Sequence, residues 1–195
     1  MTFYNVAKVI VRAIICIIFR VKIEGLSNIP KDGPCILCFN HKSLLDPPVI
    51  GVFIPRQLIF MAKEELFKIP VLGFIIRKLG AFPVKRGVGD IAAIRTSLDV
   101  LKQGKVLAMF PEGTRNKDNT IGQAKPGIAL IAIRAQAPVV PVGVGGQYKL
   151  FHRLSIRVGK PIVLEEYYNQ KLPVEKLSEI SNEIMNHIRE LAEVN

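Results

Sequence analysis

The chain has 195 residues, of which 49% are hydrophobic and 22% charged, and its 15 glycines and 13 prolines follow no repeat. This excludes a disordered chain, a collagen-like fibre and a solenoid, and fits one domain with a substantial core. The formal net charge of +11 is uneven, because residues 165–195 hold seven acids, all Glu, against three bases, which leaves +15 on residues 1–164. A basic body of this kind suits an anionic partner: nucleic acid, acidic lipid headgroups or a phosphorylated small molecule.

The longest apolar run, residues 13–19, has seven residues, far short of the roughly 20 a spanning helix needs, so a polytopic membrane protein is excluded. Residues 1–20 read instead as an amphipathic helix. Lys8 and Arg12 lie one turn apart, and Val6, Val9, Ile10, Ala13, Ile14, Ile17 and Ile18 form a broad apolar surface. We expect this helix in the plane of a membrane interface, with Lys8, Arg12 and Arg20 near the phosphates, in preference to a core-packed helix or a cleaved signal peptide. The mean hydropathy of +0.30 agrees.

From residue 21 to 195 one α/β domain is expected. Strand-like runs fall at 21–24, 34–39, 57–62, 81–85, 105–110, 138–144, 154–158 and 162–164. A helix starts near residues 43–47, capped by Asp46 or Ser43, and stops before Pro55. A second helical pattern at 64–79 is interrupted at Pro70. Residues 90–103 form the clearest helix, with Asp90 as cap, Gly104 as stop and Ile91, Ile94, Leu98 and Leu101 as its stripe. Helices at 126–136 and 174–194 follow, the last with Leu177, Ile180, Ile184, Ile188 and Leu191 on one face. This alternation implies a central, mostly parallel or mixed sheet flanked by helices.

Three cysteines, Cys16, Cys35 and Cys38, form an odd set with no export signal, which points to free thiols in a reducing compartment. Cys35 and Cys38 sit inside an apolar run and read as buried strand residues, not as a redox pair or half a zinc site. No metal site is expected.

Three polar loops follow three apolar strands. The first, Asn40-His41-Lys42-Ser43-Leu44-Leu45-Asp46-Pro47, offers a general base and a carboxylate that can orient it. On one regular helix, residues five apart would point about 140° apart and could not pair. With His41 in the loop and Asp46 in the first helical turn, the carboxylate can fold back. The second loop, from Gly80 to Gly87, presents Lys85 and Arg86, and the third, from Phe110 to Asn116, presents Glu112 and Arg115. Arg and Lys are suited to phosphate oxygens. Together the loops describe one convergent site for a phosphorylated substrate.

In this order the blocks Asn40-His41-x-x-x-x-Asp46-Pro47, Gly80-x-x-x-x-Lys85-Arg86, Phe110-Pro111-Glu112-Gly113-Thr114-Arg115 and Val140-Pro141-Val142-Gly143 resemble the glycerolipid acyltransferase family. Within it they are most similar to the bacterial 1-acylglycerol-3-phosphate acyltransferases. The resemblance spans about half the chain and implies an α/β domain docked peripherally on the cytoplasmic face of the cell membrane. It also implies acyl-CoA or acyl-carrier protein as donor substrate, no cofactor, 1-acylglycerol 3-phosphate as acceptor and phosphatidic acid as product. His41 would be the general base and Asp46 its partner. Lys85, Arg86 and Arg115 would hold the acceptor phosphate, Gly113 would allow close backbone approach, and Thr114 would belong to the same subsite. Glu112 would position the glycerol or organise its loop. Another lysolipid or glycerol 3-phosphate is the alternative acceptor. A non-catalytic module on an anionic membrane surface is a different reading. Nucleic acid is not expected as a partner, because aromatics are 7%, Trp is absent and no reading motif is found.

Overall fold

The computed structural model describes residues 3–85, 90–115 and 120–193. In chain order the elements are α1 (Phe3–Ile18), β1 (Arg20–Glu24), β2 (Cys35–Phe39), α2 (Asp46–Phe53), β3 (Leu58–Lys63), α3 (Pro70–Lys78), β4 (Phe82–Val84), α4 (Ile91–Lys102), β5 (Val106–Met109), α5 (Gly127–Ala135), β6 (Val139–Gly146), β7 (Arg153–Val158) and α6 (Val174–Glu193). The seven strands form one mixed sheet in the order β1-β7-β6-β2-β5-β3-β4. Only the β6–β7 pair is antiparallel.

β2 and β5, at the centre, are buried at every position, so they read as continuous apolar runs without alternation. One face of the sheet packs under α4, α5 and α6 through Leu101, Ile128, Ile131, Ile184 and Ile188. The other packs under α1 and α2 through Ile15, Phe19, Val49, Ile50 and Phe53. The parallel strands β2, β3, β4 and β5 all end at one edge of the sheet. The His41, Lys85 and Glu112 loops leave from that edge, where α/β sheets place their ligands.

Several expectations change in detail. Residues 162–164 do not form a strand, and only Ile162 bridges to Val139. In the helix at 90–103, Ile94, Leu98 and Leu101 meet the core as expected, but Ile91 is exposed, and Ala93, Ser97 and Val100 are buried beside the stripe. Asp90 does cap it, accepting from the Ala93 N–H at 3.0 Å. Neither Asp46 nor Ser43 caps α2, whose N-cap position is Leu45 without a side-chain bond.

The first helix differs most. Lys8 Nζ donates to the Ile54 carbonyl oxygen, and the Arg12 guanidinium lies over the Phe53 ring at 5.3 Å. Burial, then the Arg12 charge, lowers the Lys8 ammonium from its ordinary value. Lys8 therefore faces the protein and not lipid phosphates. The outward face carries Val6, Val9, Ile10, Ile14 and Ile17, the last 72% exposed. Each such side chain left in water forgoes about 1.5–3 kcal/mol of burial. Among the described residues, no helix is long and apolar enough to cross a membrane.

The block Val140-Pro141-Val142-Gly143 lies inside β6. A Cβ at Gly143 would meet the Ala192 nitrogen at 2.4 Å, so this glycine lets the end of α6 sit directly on the strand. Its role in the fold is packing.

Candidate active site

His41 lies in the loop after β2, and Asp46 is the first residue of α2. The chain between them turns back on itself, so His41 Nδ1 reaches Asp46 Oδ2 at 2.8 Å. The carboxylate is fully buried and the imidazole side chain is 10% exposed. A buried carboxylate must be satisfied by donors, and this one is. Asp46 Oδ2 also accepts the backbone N–H groups of Lys42 at 2.8 Å and Ser43 at 2.7 Å. Asp46 Oδ1 accepts the Tyr148 hydroxyl at 2.5 Å. The first turn of a helix favours this negative charge as well.

Held in this way, Asp46 can accept a hydrogen bond from Nδ1–H of the neutral ring, the tautomer that leaves the lone pair on Nε2. The ring is further fixed by stacking on Phe110, 4.0 Å between centroids at 20°. Phe110 in turn packs on Phe39 and Phe60. Asn40 locks the preceding residue: its side chain exchanges two hydrogen bonds with the Val144 backbone, joining the end of β2 to β6.

Glu112 is buried after β5. One oxygen accepts the His41 N–H at 2.9 Å and the other the Gly122 N–H at 3.1 Å. These bonds tie its loop to the His41 loop. Gly113 has φ of +70°, a conformation that favours glycine. Thr114 and Arg115 are exposed beside it. Lys85 is exposed at the end of β4, and its backbone N–H donates to Asp90 at 2.7 Å. Arg86 lies outside the described residues, as do Gly87 and Asn116 of the same blocks.

Tyr148 is the site residue that sequence reasoning missed. It belongs to the loop after β6, 102 positions from Asp46, and no local pattern marks it. Burial first, then the charge of Asp46 and the bond to it, push its hydroxyl well above the ordinary value, so it stays a donor. Its ring meets Phe19, at the end of α1, edge-on at 5.7 Å.

Five amides of this loop are already committed. Those of His41, Lys42 and Ser43 serve carboxylates, Leu45 N–H serves Ser43 Oγ, and Asp46 N–H serves the Ser43 carbonyl. To serve an oxyanion, each of these five would have to give up or share its present bond. Cys35 and Cys38 are poor nucleophiles: burial raises the Cys35 thiol to about 11 and Cys38 well above its ordinary value. Among the described residues, no group of three or more His, Cys, Asp or Glu side chains gathers as a metal site.

The acyltransferase family model matches residues 20–145, the segment that holds this dyad and both flanking loops. The chain belongs to that family. It is 30% identical to the 1-acyl-sn-glycerol-3-phosphate acyltransferase of Bacillus subtilis over 88% of the chain and 87% of that protein. It is 33% identical to the chloroplastic enzyme of that name from Brassica napus over 68% of the chain, but spans only 39% of that longer relative. The crystal structure of the 1-acyl-sn-glycerophosphate acyltransferase from Thermotoga maritima superposes with a TM-score of 0.73 at 28% identity, covering 95% of this chain and 79% of that one.

Proposed function

We propose that this acyltransferase moves a fatty acyl group from a thioester, acyl-CoA or acyl-carrier protein, to the sn-2 hydroxyl of 1-acylglycerol 3-phosphate, giving phosphatidic acid. The observation that carries the reading is the 2.8 Å contact between His41 Nδ1 and Asp46 in a chain of this family. His41 Nε2 takes the hydroxyl proton as the oxygen attacks the thioester carbonyl directly. Asp46 stabilises the imidazolium that forms. The imidazolium then returns the proton to the departing thiolate, which leaves the residue ready for the next turnover. Lys85 and Arg115, with Arg86, hold the acceptor phosphate. Arg115 follows β5, immediately beside the strand that delivers His41, while Lys85 follows β4, about 14 Å across the sheet. Glu112 joins the base to the anion-binding loop. No cofactor enters the chemistry.

The acceptor is a membrane lipid, and the outward apolar face of α1 is suited to the headgroup–acyl boundary of an anionic bilayer at the cytoplasmic surface. Arg20, exposed at the end of the helix, replaces Lys8 as the cation nearest the phosphates.

The test is thioester-dependent phosphatidic acid formation by purified protein with detergent-dispersed 1-acylglycerol 3-phosphate and oleoyl- or palmitoyl-CoA, with His41→Ala in parallel. Product from the wild type and a loss of about 10³-fold or more in the variant are expected. Product only with acyl-carrier protein would keep the mechanism and fix the donor. Product only with glycerol 3-phosphate or another lysolipid would overturn the acceptor. Near wild-type turnover by His41→Ala would remove it from the chemistry.

A further inference from the structure

α1 is not alone in turning apolar side chains outward. α3 has nine residues, of which only Gly73 is buried. Val71 is 73% and Phe74 58% exposed, and Ile69, Leu72 and Ile75 are exposed beside them. The one element it packs against extensively is the turn before it, where Gly73 sits so close that a Cβ would meet the Phe67 carbonyl oxygen at 2.4 Å. A concentrated apolar helix with so little cover marks an interaction surface.

The topology places this helix. Crossovers between parallel strands are right-handed. The chain steps from β2 to β3 and on to β4 in one direction across the sheet, then returns through β5 to β6. The outward steps carry α2 and α3, the return steps α4 and α5. The cores agree where they report, with α2 on one face and α4 and α5 on the other. α3 therefore lies on the α1–α2 face. Its first residue, Pro70, follows the end of β3, so it starts at the edge of the sheet that carries His41. α1 reaches the same edge from the other side, ending at Phe19 against Tyr148. Between them, in the loop joining His41 to Asp46, Leu44 and Leu45 are also exposed, Leu44 at 63%.

We propose that α3, with Leu44 and Leu45, is a second membrane contact, so that an anionic bilayer meets the protein on both sides of the His41 opening and delivers its lipid acceptor there. This rests on the acyl-transfer reading of the site. Charge selects the bilayer over a second copy of the chain. Arg77 and Lys78 lie at the end of α3, and Arg12 and Arg20 on and after α1. Glu64 and Glu65 of the adjoining turn pair with Lys68 and Lys63. A symmetric dimer through this face would oppose like charges, whereas phosphatidylglycerol headgroups complement them.

The absence of Trp makes the test direct. Phe74→Trp introduces a single indole on α3. With phosphatidylglycerol vesicles its emission is expected to shift to shorter wavelength and to be quenched by brominated acyl chains. Val71→Glu with Phe74→Glu is expected to weaken vesicle binding at least tenfold and to lower turnover of bilayer-embedded 1-acylglycerol 3-phosphate. Turnover of a short-chain, monomeric acceptor should stay unchanged, which also shows that the fold is intact. Vesicle binding by the wild type with no indole shift, and full binding by the double variant, would overturn α3 as a contact while leaving α1 in place. Loss of a dimer in the double variant with vesicle binding retained would assign the face to a second copy and overturn the proposal. Failure of the wild type to bind vesicles at all would overturn it together with the membrane role of α1. Failure to turn over the monomeric acceptor would instead fall on the acyl-transfer reading.

Discussion

The loop that carries His41 and the loops that carry the cations are built in opposite ways. Between His41 and Asp46, backbone donors and carboxylate oxygens are matched to one another, and the imidazole is wedged between a buried carboxylate and Phe110. Lys85 and Arg115 instead stand exposed at strand ends. The difference suits the tasks proposed for the two regions. A general base must already hold its tautomer and orientation when the substrate arrives, because disorder there is charged to the transition state. A phosphate brings its own charge and can gather long cationic side chains around itself.

That contrast sets the scale of the mutational effects. Asp46→Asn should break the prebuilt half hardest, lowering kcat about 100-fold with little change in either KM, because the amide cannot stabilise the imidazolium. A loss confined to KM would place Asp46 in binding. Arg115→Ala and Lys85→Ala should each raise the acceptor KM about tenfold and leave the donor KM nearly unchanged, as expected when charge-assisted bonds to phosphate are removed. If the donor KM alone rose, the cations would belong to the thioester carrier. Tyr148→Phe removes one of four donors to Asp46 and keeps the ring against Phe19, so kcat should fall only about fivefold. The ring NMR signals of His41 should move with it, a readout that simple loss of stability would not produce.

The smallest effect should come from Asp90→Ala. Asp90 caps α4 and accepts the Lys85 N–H, and these backbone bonds hold its carboxyl below the usual carboxylate range. The substitution should cost about 1 kcal/mol of stability at neutral pH. A lowered folded-state value means this contribution is present above the unfolded-chain value, about 3.9, and lost as pH falls through the folded one. The difference in Tm between variant and wild type should therefore shrink in acid. A constant difference would show that the charged form is not what matters.

Legibility in the sequence divides along the same lines. His41 and Asp46 were readable because five residues, one strand end and one helix start fix their relation locally. The alternation of strands and helices was readable for the same reason, down to the break at Pro70, where α3 begins. Tyr148 was not, since only tertiary folding brings it to Asp46. The inward turn of Lys8 was also hidden. A charge on a helix is expected to face water, and here a free carbonyl at the end of α2 draws it in. Ile91 failed as a stripe residue because it is the first residue of α4 and stays exposed, while Ile94, Leu98 and Leu101 meet the core.

The contact between Phe19 and Tyr148 also has a consequence for how the protein comes into being. The first helix is made before the sheet it packs on, yet β1, which follows it, pairs with β7, and Asp46 gains its phenolic donor from residue 148. A nascent chain stopped short of that point holds His41 and Asp46 but cannot complete their setting. The complete setting of this pair therefore waits for Tyr148 and β7, and a chain stopped before them lacks it.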